Sequence, residues 1–475
     1  MSRAADIEKL RKIVSLVTQA SEAVIAEWEN GTATEETSEG VQLPSHAVFN
    51  AQRTLSAAAG SVEELVSDPS TRLVTFSTQF FESRALHIVA EHRIPDILDR
   101  HGHGGAHVSV VAKEVGIEEK KLSRVLRCLT SQHILRETAP DTFANNRISQ
   151  ALVNNEDLRA YIMLFAMDAY TASDYFPAAL TDPKFGASYK VEETAFNLAL
   201  GTDLPRWSWL ETLVPASEVD RLSRRGDPRT DRPDTHVKVA NGHAGAKTEV
   251  LVQRPELEIS ARSMTGCGKV FGSAHIVDFP WATLGKATFV DVGGGIGGVP
   301  MLLLPKYPDL NFVVQDSAAN VELGERIWAE KYPDALDSGR LKLMEHDFFR
   351  ENPIRDAEIY WLRYITHDWS DEACITILTQ IQKAMGPKSR LLIADQVMNT
   401  TLGCNELRPA PEPLLPNYGN YVRYSHQSDL AMMTILNGIE RTPEQLKRIL
   451  GESGLRIHKI WECRTQVPIV EAVKV

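Results

Sequence analysis

One stretch, 287–316, constrains this chain more than any other: ATFVDVGGGIGGVPMLLLPKYPDLNFVVQD. An apolar run (Phe289, Val290, Val292) ends in the glycines 293–295, 297 and 298. A helical pattern follows through Leu302, Leu303 and Leu304, and a second apolar run, Phe312 to Val314, ends in Asp316. Strand, Gly-rich turn, helix, strand and acid in that order predict the opening unit of a nucleotide-binding α/β sheet. Glycine lets a backbone approach a ligand with no Cβ in the way. An acid at the tip of the second strand can hold the hydroxyls of a ribose. Gly293, Gly295 and Gly298 also satisfy GxGxxG, so an NAD(P)-dependent oxidoreductase is a competing reading at this point.

The unit begins far along a chain of 475 residues, so a large domain precedes it. We expect a helical N-terminal domain over 1–250 and a cofactor-binding catalytic domain over 251–475. The net charge of -12 argues against nucleic acid or an anionic membrane as the main partner. Five cysteines are scattered without CxxC spacing, which predicts reduced thiols and no zinc site. The N-terminus lacks an apolar signal core and no run of 18 apolar residues occurs, so a soluble, cytoplasmic protein is expected.

Within the N-terminal part, Leu10, Ile13, Val17, Ala20 and Val24 form a helical stripe over 6–28, and 30–45 reads as a loop. Helices are predicted over 47–67 and 70–93, with apolar surface that a partner chain could cover. From 85 to 149 short helices at 108–115 and 120–132, followed by a hairpin at 134–137 and 142–144, outline a winged helix-turn-helix. Its recognition-like helix, KKLSRVLRCLTSQ, is basic but commits Leu122, Val125, Leu126 and Leu129 to a core face. A packing and dimerisation module therefore fits better than a DNA-binding regulator with a ligand-sensing domain. Residues 151–215 are rich in aromatics and methionine, types that fill cores and also grip aromatic ligands. Within 216–250 the stretch 220–234 is Arg/Asp-rich and almost free of apolar residues, so the whole reads as a disordered-looking surface insert.

Beyond the Gly-rich unit, strands are predicted at 341–345, 359–362, 391–395, 455–461 and 468–473. Only Glu462 to Val467 separate the last two, so they should pair as an antiparallel hairpin.

The segment 360–378, YWLRYITHDWSDEACITIL, resembles the HDWSDE block of the plant-type small-molecule O-methyltransferases, the caffeate and flavonoid enzymes, and is closer still to their fungal secondary-metabolite branch. VDVGGGIG, MEHDFF, PKSRLLIADQVM and NGIERTPEQ match the same family in order and spacing, across roughly 85–475 without the insert. The resemblance implies a Rossmann-like class I methyltransferase sheet with an antiparallel C-terminal hairpin, behind a helical and winged-helix dimerisation domain. It implies S-adenosylmethionine as methyl donor, a small phenol as acceptor, no metal, and a homodimer with interlocked N-terminal helices.

Carried over residue by residue, the resemblance makes His367 the catalytic base, flanked by Asp395 and Glu440; the plant enzymes usually have Glu where Asp395 stands. Asp291, Gly293, Gly294 and Gly295 would face the donor. Asp316 would bind its ribose, Asp347 and Phe348 would sit beside the adenine, and Arg363 would lie near its carboxylate or adenosine. Asn437 and Met264, with Met167 and Phe196, would line the acceptor pocket. Asp368, Asp371 and Glu372 invite a magnesium reading, but capping and first-turn acids at a helix N-terminus account for them.

The chemistry suits these residue types independently of kinship. A phenol has pKa about 10 and a neutral imidazole's conjugate acid about 6.5, a gap worth about 5 kcal/mol if the phenolate forms fully beforehand. A nearby sulfonium cation offsets much of that gap in a water-poor site, and an acid beside the imidazole fixes its tautomer.

Overall fold

In a computed structural model, which describes residues 3–31, 35–36, 42–216, 238–239 and 250–475, the Gly-rich unit forms the centre of a seven-stranded sheet. Its strands are β1 (Ala287–Val292), β2 (Leu310–Asp316), β3 (Leu341–Glu345), β4 (Ile359–Arg363), β5 (Arg390–Ala394), β6 (Leu455–Trp461) and β7 (Ile469–Lys474). The spatial order is 3-2-1-4-5-7-6. β1 to β5 are parallel, β7 runs antiparallel beside β5, and β6 and β7 form the expected hairpin. Both faces are covered, so the central strands are apolar almost throughout. Alternate residues feed two cores. Phe289, Phe312, Trp361 and Leu392 pack with Trp281 and Trp328, while Val290, Tyr360, Leu362 and Ile393 pack on the other face. Reversal of strand order between β1 and β4 opens a crevice at the carboxyl ends of the strands, where ligands of such sheets bind.

The described residues divide into two compact units: 1–67, 187–194 and 271–475 form one, and 68–186 with 195–270 the other. This division differs from the chain-order expectation of 1–250 and 251–475. Helices α1 (Arg3–Asn30) and α2 (His46–Val66) belong with the sheet because Ile13, Ala57 and Ala58 share a core with Ala410, Leu414 and Tyr418. Three further helices of this unit matter below: α3 (Asp371–Ala384), α4 (Arg423–Leu436) and α5 (Pro443–Glu452). Ser370 caps α3 by accepting from the amide of Ala373, with Asp371 and Glu372 in its first turn. Thr442 and Gln445 close a capping box on α5, with Pro443 at its first position.

The second unit contains the winged-helix outline. Helices Val108–Val115 and Glu119–Ser131 precede a hairpin of Leu135–Ala139 and Thr142–Asn145, joined by Ala106–His107 into a three-stranded sheet. Leu122, Leu126 and Leu129 are buried as expected, with Val125 packed against them. Arg127 of the recognition-like helix is engaged by Glu137 and Asp141. The helix expected over 70–93 is two, Pro69–Ser77 and Phe80–Glu91. At the break the hydroxyls of Ser77 and Thr78 donate to the carbonyls of Val74 and Thr75, competing with the helical ladder. Much of the loop expected at 30–45 and most of the insert at 216–250 lie outside the described residues. Bordering segments Leu213–Pro215 and Val250–Gln253 pair antiparallel, and Lys238–Val239 within the insert adds a third strand. Among the described residues no helix is long and apolar enough to cross a membrane.

Candidate active site

β4 ends at Arg363, and the chain then turns sharply. Tyr364 adopts φ 56°, a left-handed conformation that costs a non-glycine residue about 1 kcal/mol or more. The turn is held by Asp395, which follows β5: its Oδ1 accepts from the Tyr364 amide at 2.6 Å and its Oδ2 from the Thr366 hydroxyl. A single 3₁₀ turn, Thr366–Asp368, then presents His367. The imidazole is buried, with Nδ1 2.9 Å from Oε1 of the buried Glu440 and Nε2 3.4 Å from Oδ1 of Asp368. The ring of Tyr364 lies 5.4 Å from it at 37°.

Glu440 arrives on the segment after α4. The amide of Ile439 donates to the carbonyl of His367 at 2.8 Å, and a Cβ on Gly438 would lie 2.3 Å from that oxygen. Only glycine allows so close an approach of the two segments. Burial pushes the His367 imidazole down, but the carboxylates of Glu440, Asp368 and Asp395 outweigh it and hold it well above its ordinary value.

Thus His367 and Glu440 form a buried pair as expected, whereas Asp395 makes no hydrogen bond to the imidazole among the described residues. Its side chain is one methylene shorter than the Glu usual in the plant enzymes, and its two oxygens are taken by the turn that carries His367. Asp395 is placed to position His367 through that turn.

A second cluster stands at the carboxyl ends of β1, β2, β3 and β4. After β1, the amides of Gly293 and Gly294 donate to the carbonyl of Gln315. Gly293 has φ 70°, and a Cβ there would meet Ile365 at 2.5 Å and Phe348 at 3.6 Å. Gly295 donates from its amide to Oδ2 of Asp316 at 2.8 Å, and nothing stands within 4 Å of where its Cβ would be. Oδ1 of Asp316 accepts from the Ser317 amide and from Asn320 Nδ2, each at 2.7 Å. Asp291 is tucked beneath Gly294, whose added Cβ would fall 2.4 Å from the Asp291 carboxyl carbon. Burial pushes that carboxyl up to about 7, with the Arg363 guanidinium pulling it back. The guanidinium of Arg363 lies against Gly272 and Gly298 and makes no hydrogen bond or ion pair among the described residues. Phe348 is half-buried with its ring 6.1 Å from that of Trp369, and Asp347 is exposed beside it.

Residues 261–456 match the family model of an O-methyltransferase domain, and 74–155 match an O-methyltransferase dimerisation domain. The O-methyltransferase tpcA of Aspergillus fumigatus is 47% identical over 98% of this chain and 96% of its own length. The chain belongs to the O-methyltransferase family. Among solved structures, the methyltransferase CalO1 of calicheamicin biosynthesis, in its S-adenosylhomocysteine-bound form, is 25% identical, with TM-score 0.60 over 86% of this chain and all of its own. The O-methyltransferase NcsB1, in complex with S-adenosylmethionine and 2-hydroxy-5-methyl naphthoic acid, shares the fold at 18% identity and TM-score 0.54, over 83% of this chain and 96% of its own.

This O-methyltransferase uses S-adenosylmethionine, which decides the GxGxxG ambiguity against NAD(P). The second cluster suits that donor: open space over Gly295, acceptor capacity left on Asp316 Oδ2, and a guanidinium without a carboxylate partner at Arg363. The residues expected around the acceptor are dispersed. Asn437 caps α4 at φ 53°, and its Nδ2 donates to the carbonyls of Lys190 and Glu193 at 2.8 and 2.9 Å. Both its amide protons are therefore spent on fastening 187–194, a structural task the residue pattern did not announce. Met264, Met167 and Phe196 lie in the other compact unit. Met264 is exposed and Met167 half-buried, but Phe196 is fully buried against Trp209, a core position with no surface to offer an acceptor.

Asp371 is engaged by Arg441 and Arg448, and Asp368 faces His367. Among the described residues no three such side chains converge so as to hold a metal ion. Sequence reasoning passed over Tyr364, Thr366 and Arg441. Arg441 stands directly after Glu440 in NGIERTPEQ, and an arginine in an otherwise apolar and capping context was the available signal.

Proposed function

We propose that this S-adenosylmethionine-dependent enzyme methylates a phenolic hydroxyl of a small aromatic secondary metabolite, with His367 as general base and without a metal. One observation carries the reading: a buried imidazole whose Nδ1 is held by Glu440 at 2.9 Å, on the turn that follows β4 and abuts the Gly-rich loop through Ile365. With Nδ1–H donated to Glu440, the tautomer leaves Nε2 to take a proton from an acceptor oxygen. Glu440 stabilises the imidazolium that results. Asp395 keeps the His367 turn in its strained shape, so the base does not have to be reoriented during reaction.

On the donor side, Asp316 would hold the ribose hydroxyls, Phe348 with Asp347 the adenine, and Arg363 the carboxylate, while Asp291 supports the loop from below. The donor, when bound, supplies an electrophilic methyl carbon. A phenol as acceptor is supported by the acidity argument above and by the hydroxylated naphthoic acid held by the same fold in NcsB1. Metal independence is supported by the prior engagement of the site's carboxylates with His367, Arg441, Thr366 and Tyr364.

The test is a panel of phenols incubated with the donor and chelator, read by mass spectrometry. A methyl ether on oxygen, formed equally with and without EDTA, is the expected product; methylation at carbon or nitrogen, or loss of activity with EDTA, would sink the respective part. We also propose a homodimer. Leu73, Phe76 and Phe81 are 72, 65 and 61% exposed on helices that overlap the matched dimerisation domain. Light scattering should return twice the 52.8 kDa chain mass, and a monomer would refute the assembly.

A further inference from the structure

We propose that Arg441 is a positioning residue whose guanidinium sets the spacing of His367 and Glu440 by gripping the His367 turn from behind. The inference rests on the reading of His367 as base. The two partners come from segments far apart in the chain, and their 2.9 Å contact needs a crossbar between those segments. Arg441 supplies it. Its own backbone is continuous with Glu440 and is fixed to the strand-end region after β5, where the Met398 amide donates to the Arg441 carbonyl at 2.9 Å. In the extended chain neighbouring side chains point to opposite sides. Glu440 therefore faces the imidazole while Arg441 reaches round the turn.

Nη1 of Arg441 donates to the carbonyl of Thr366 at 2.5 Å and to that of Ile439 at 3.3 Å, and Nη2 donates to the carbonyl of Trp369 at 2.7 Å. Nε donates to Oδ1 of Asp371 at 2.8 Å, at the start of α3. The gripped carbonyls bracket His367 and Asp368. The side chain is only 2% exposed, so each of these bonds lacks competition from water. A guanidinium offers five N–H groups in a rigid plane, and nearly all are used here. An ammonium has its three donors at one point and does not span the same four acceptors.

The experiment compares Arg441→Lys and Arg441→Ala with the intact enzyme, using S-adenosylhomocysteine calorimetry, steady-state kinetics and a pH–rate profile. Donor binding should stay within a few-fold, while kcat falls about 100-fold, the scale expected when a base is misplaced by about 1 Å. The midpoint of the pH profile should move down toward an ordinary imidazole as Glu440 loosens its hold. Guanidinium chloride below denaturing concentration should restore part of kcat to Arg441→Ala and none to Arg441→Lys. Unchanged kcat and midpoint in Arg441→Lys would overturn the proposal. So would a loss of kcat matched by an equal loss of donor binding, or failure of both variants to fold, since the residue would then hold the domain and not the pair. His367→Ala run in parallel separates the failures: turnover surviving there removes the base itself, whereas an inert His367→Ala beside an unaffected Arg441→Lys removes only the role of Arg441.

Discussion

Replacing His367 with Ala should lower kcat by about 10³-fold or more, within the range general base catalysis supplies, while S-adenosylhomocysteine still binds. The expectation follows from where the side chain is and is not. It touches Glu440 and Asp368, and none of the groups proposed to hold the donor: the amides of Gly293 and Gly294 are fixed by Gln315, Asp316 by Gly295, Ser317 and Asn320, and Arg363 lies against Gly272 and Gly298. The substitution has a structural cost, because it leaves the carboxylate of Glu440 buried without its partner, a change that typically destabilises by about 3–5 kcal/mol. His367→Asn is the better probe, since its amide can still donate toward Glu440. If the chemistry needs a base at Nε2, both variants are inert; if the imidazole only fills space, His367→Asn recovers most of the turnover. Calorimetry on each variant, at a temperature where both are folded, separates lost chemistry from lost structure.

What the residue pattern reveals and conceals divides along physical lines. The strands were legible because a sheet covered on both faces demands largely apolar runs, and Phe289, Val290 and Val292, 312–314 and 391–394 supply them. The hairpin of β6 and β7 followed from a connection too short for a parallel crossover. The contact of His367 with Glu440 was legible because family motifs carry both residues in register. What the pattern concealed shares a cause: a side chain's donors and acceptors can be spent on contacts that sequence distance hides. Asp395 is spent on Thr366 and Tyr364, and Asn437 on 187–194, over 240 residues away in the chain. Phe196 illustrates the related ambiguity of aromatics, which look alike in a core and in a pocket. The grouping of α1 and α2 with the sheet was equally hidden, because amphipathic helices declare that they need a partner without saying which. Arg441 was overlooked for the opposite reason: a charged residue next to another charged residue in sequence reads as surface until its burial is known.

Glu440→Gln should shift the pH dependence of methyl transfer as well as lower its rate. In the intact enzyme the neighbouring carboxylates hold the His367 imidazolium well above its ordinary value. In the proposed role His367 works only when neutral, so kcat/KM should rise with pH and level off above the titration of an unperturbed imidazole at about 6.5. Removing the charge of Glu440 takes away the largest influence favouring the imidazolium, so the acid limb should move to lower pH. More of the base is then neutral at any given acidic pH, yet each neutral imidazole is a weaker base and the imidazolium formed in the transition state has lost its counter-charge. The plateau should therefore fall by about tenfold for each pKa unit by which the limb moves, if that lost stabilisation is fully felt in the transition state. Asp368 and Asp395 still face the ring and keep part of the elevation, so the double variant with Asp368→Asn should move the limb further. A limb that stays in place in Glu440→Gln, with a plateau reduced all the same, would mean that Glu440 orients the ring without influencing its proton, and the buried carboxylate would then act as a mount and not as an electrostatic partner.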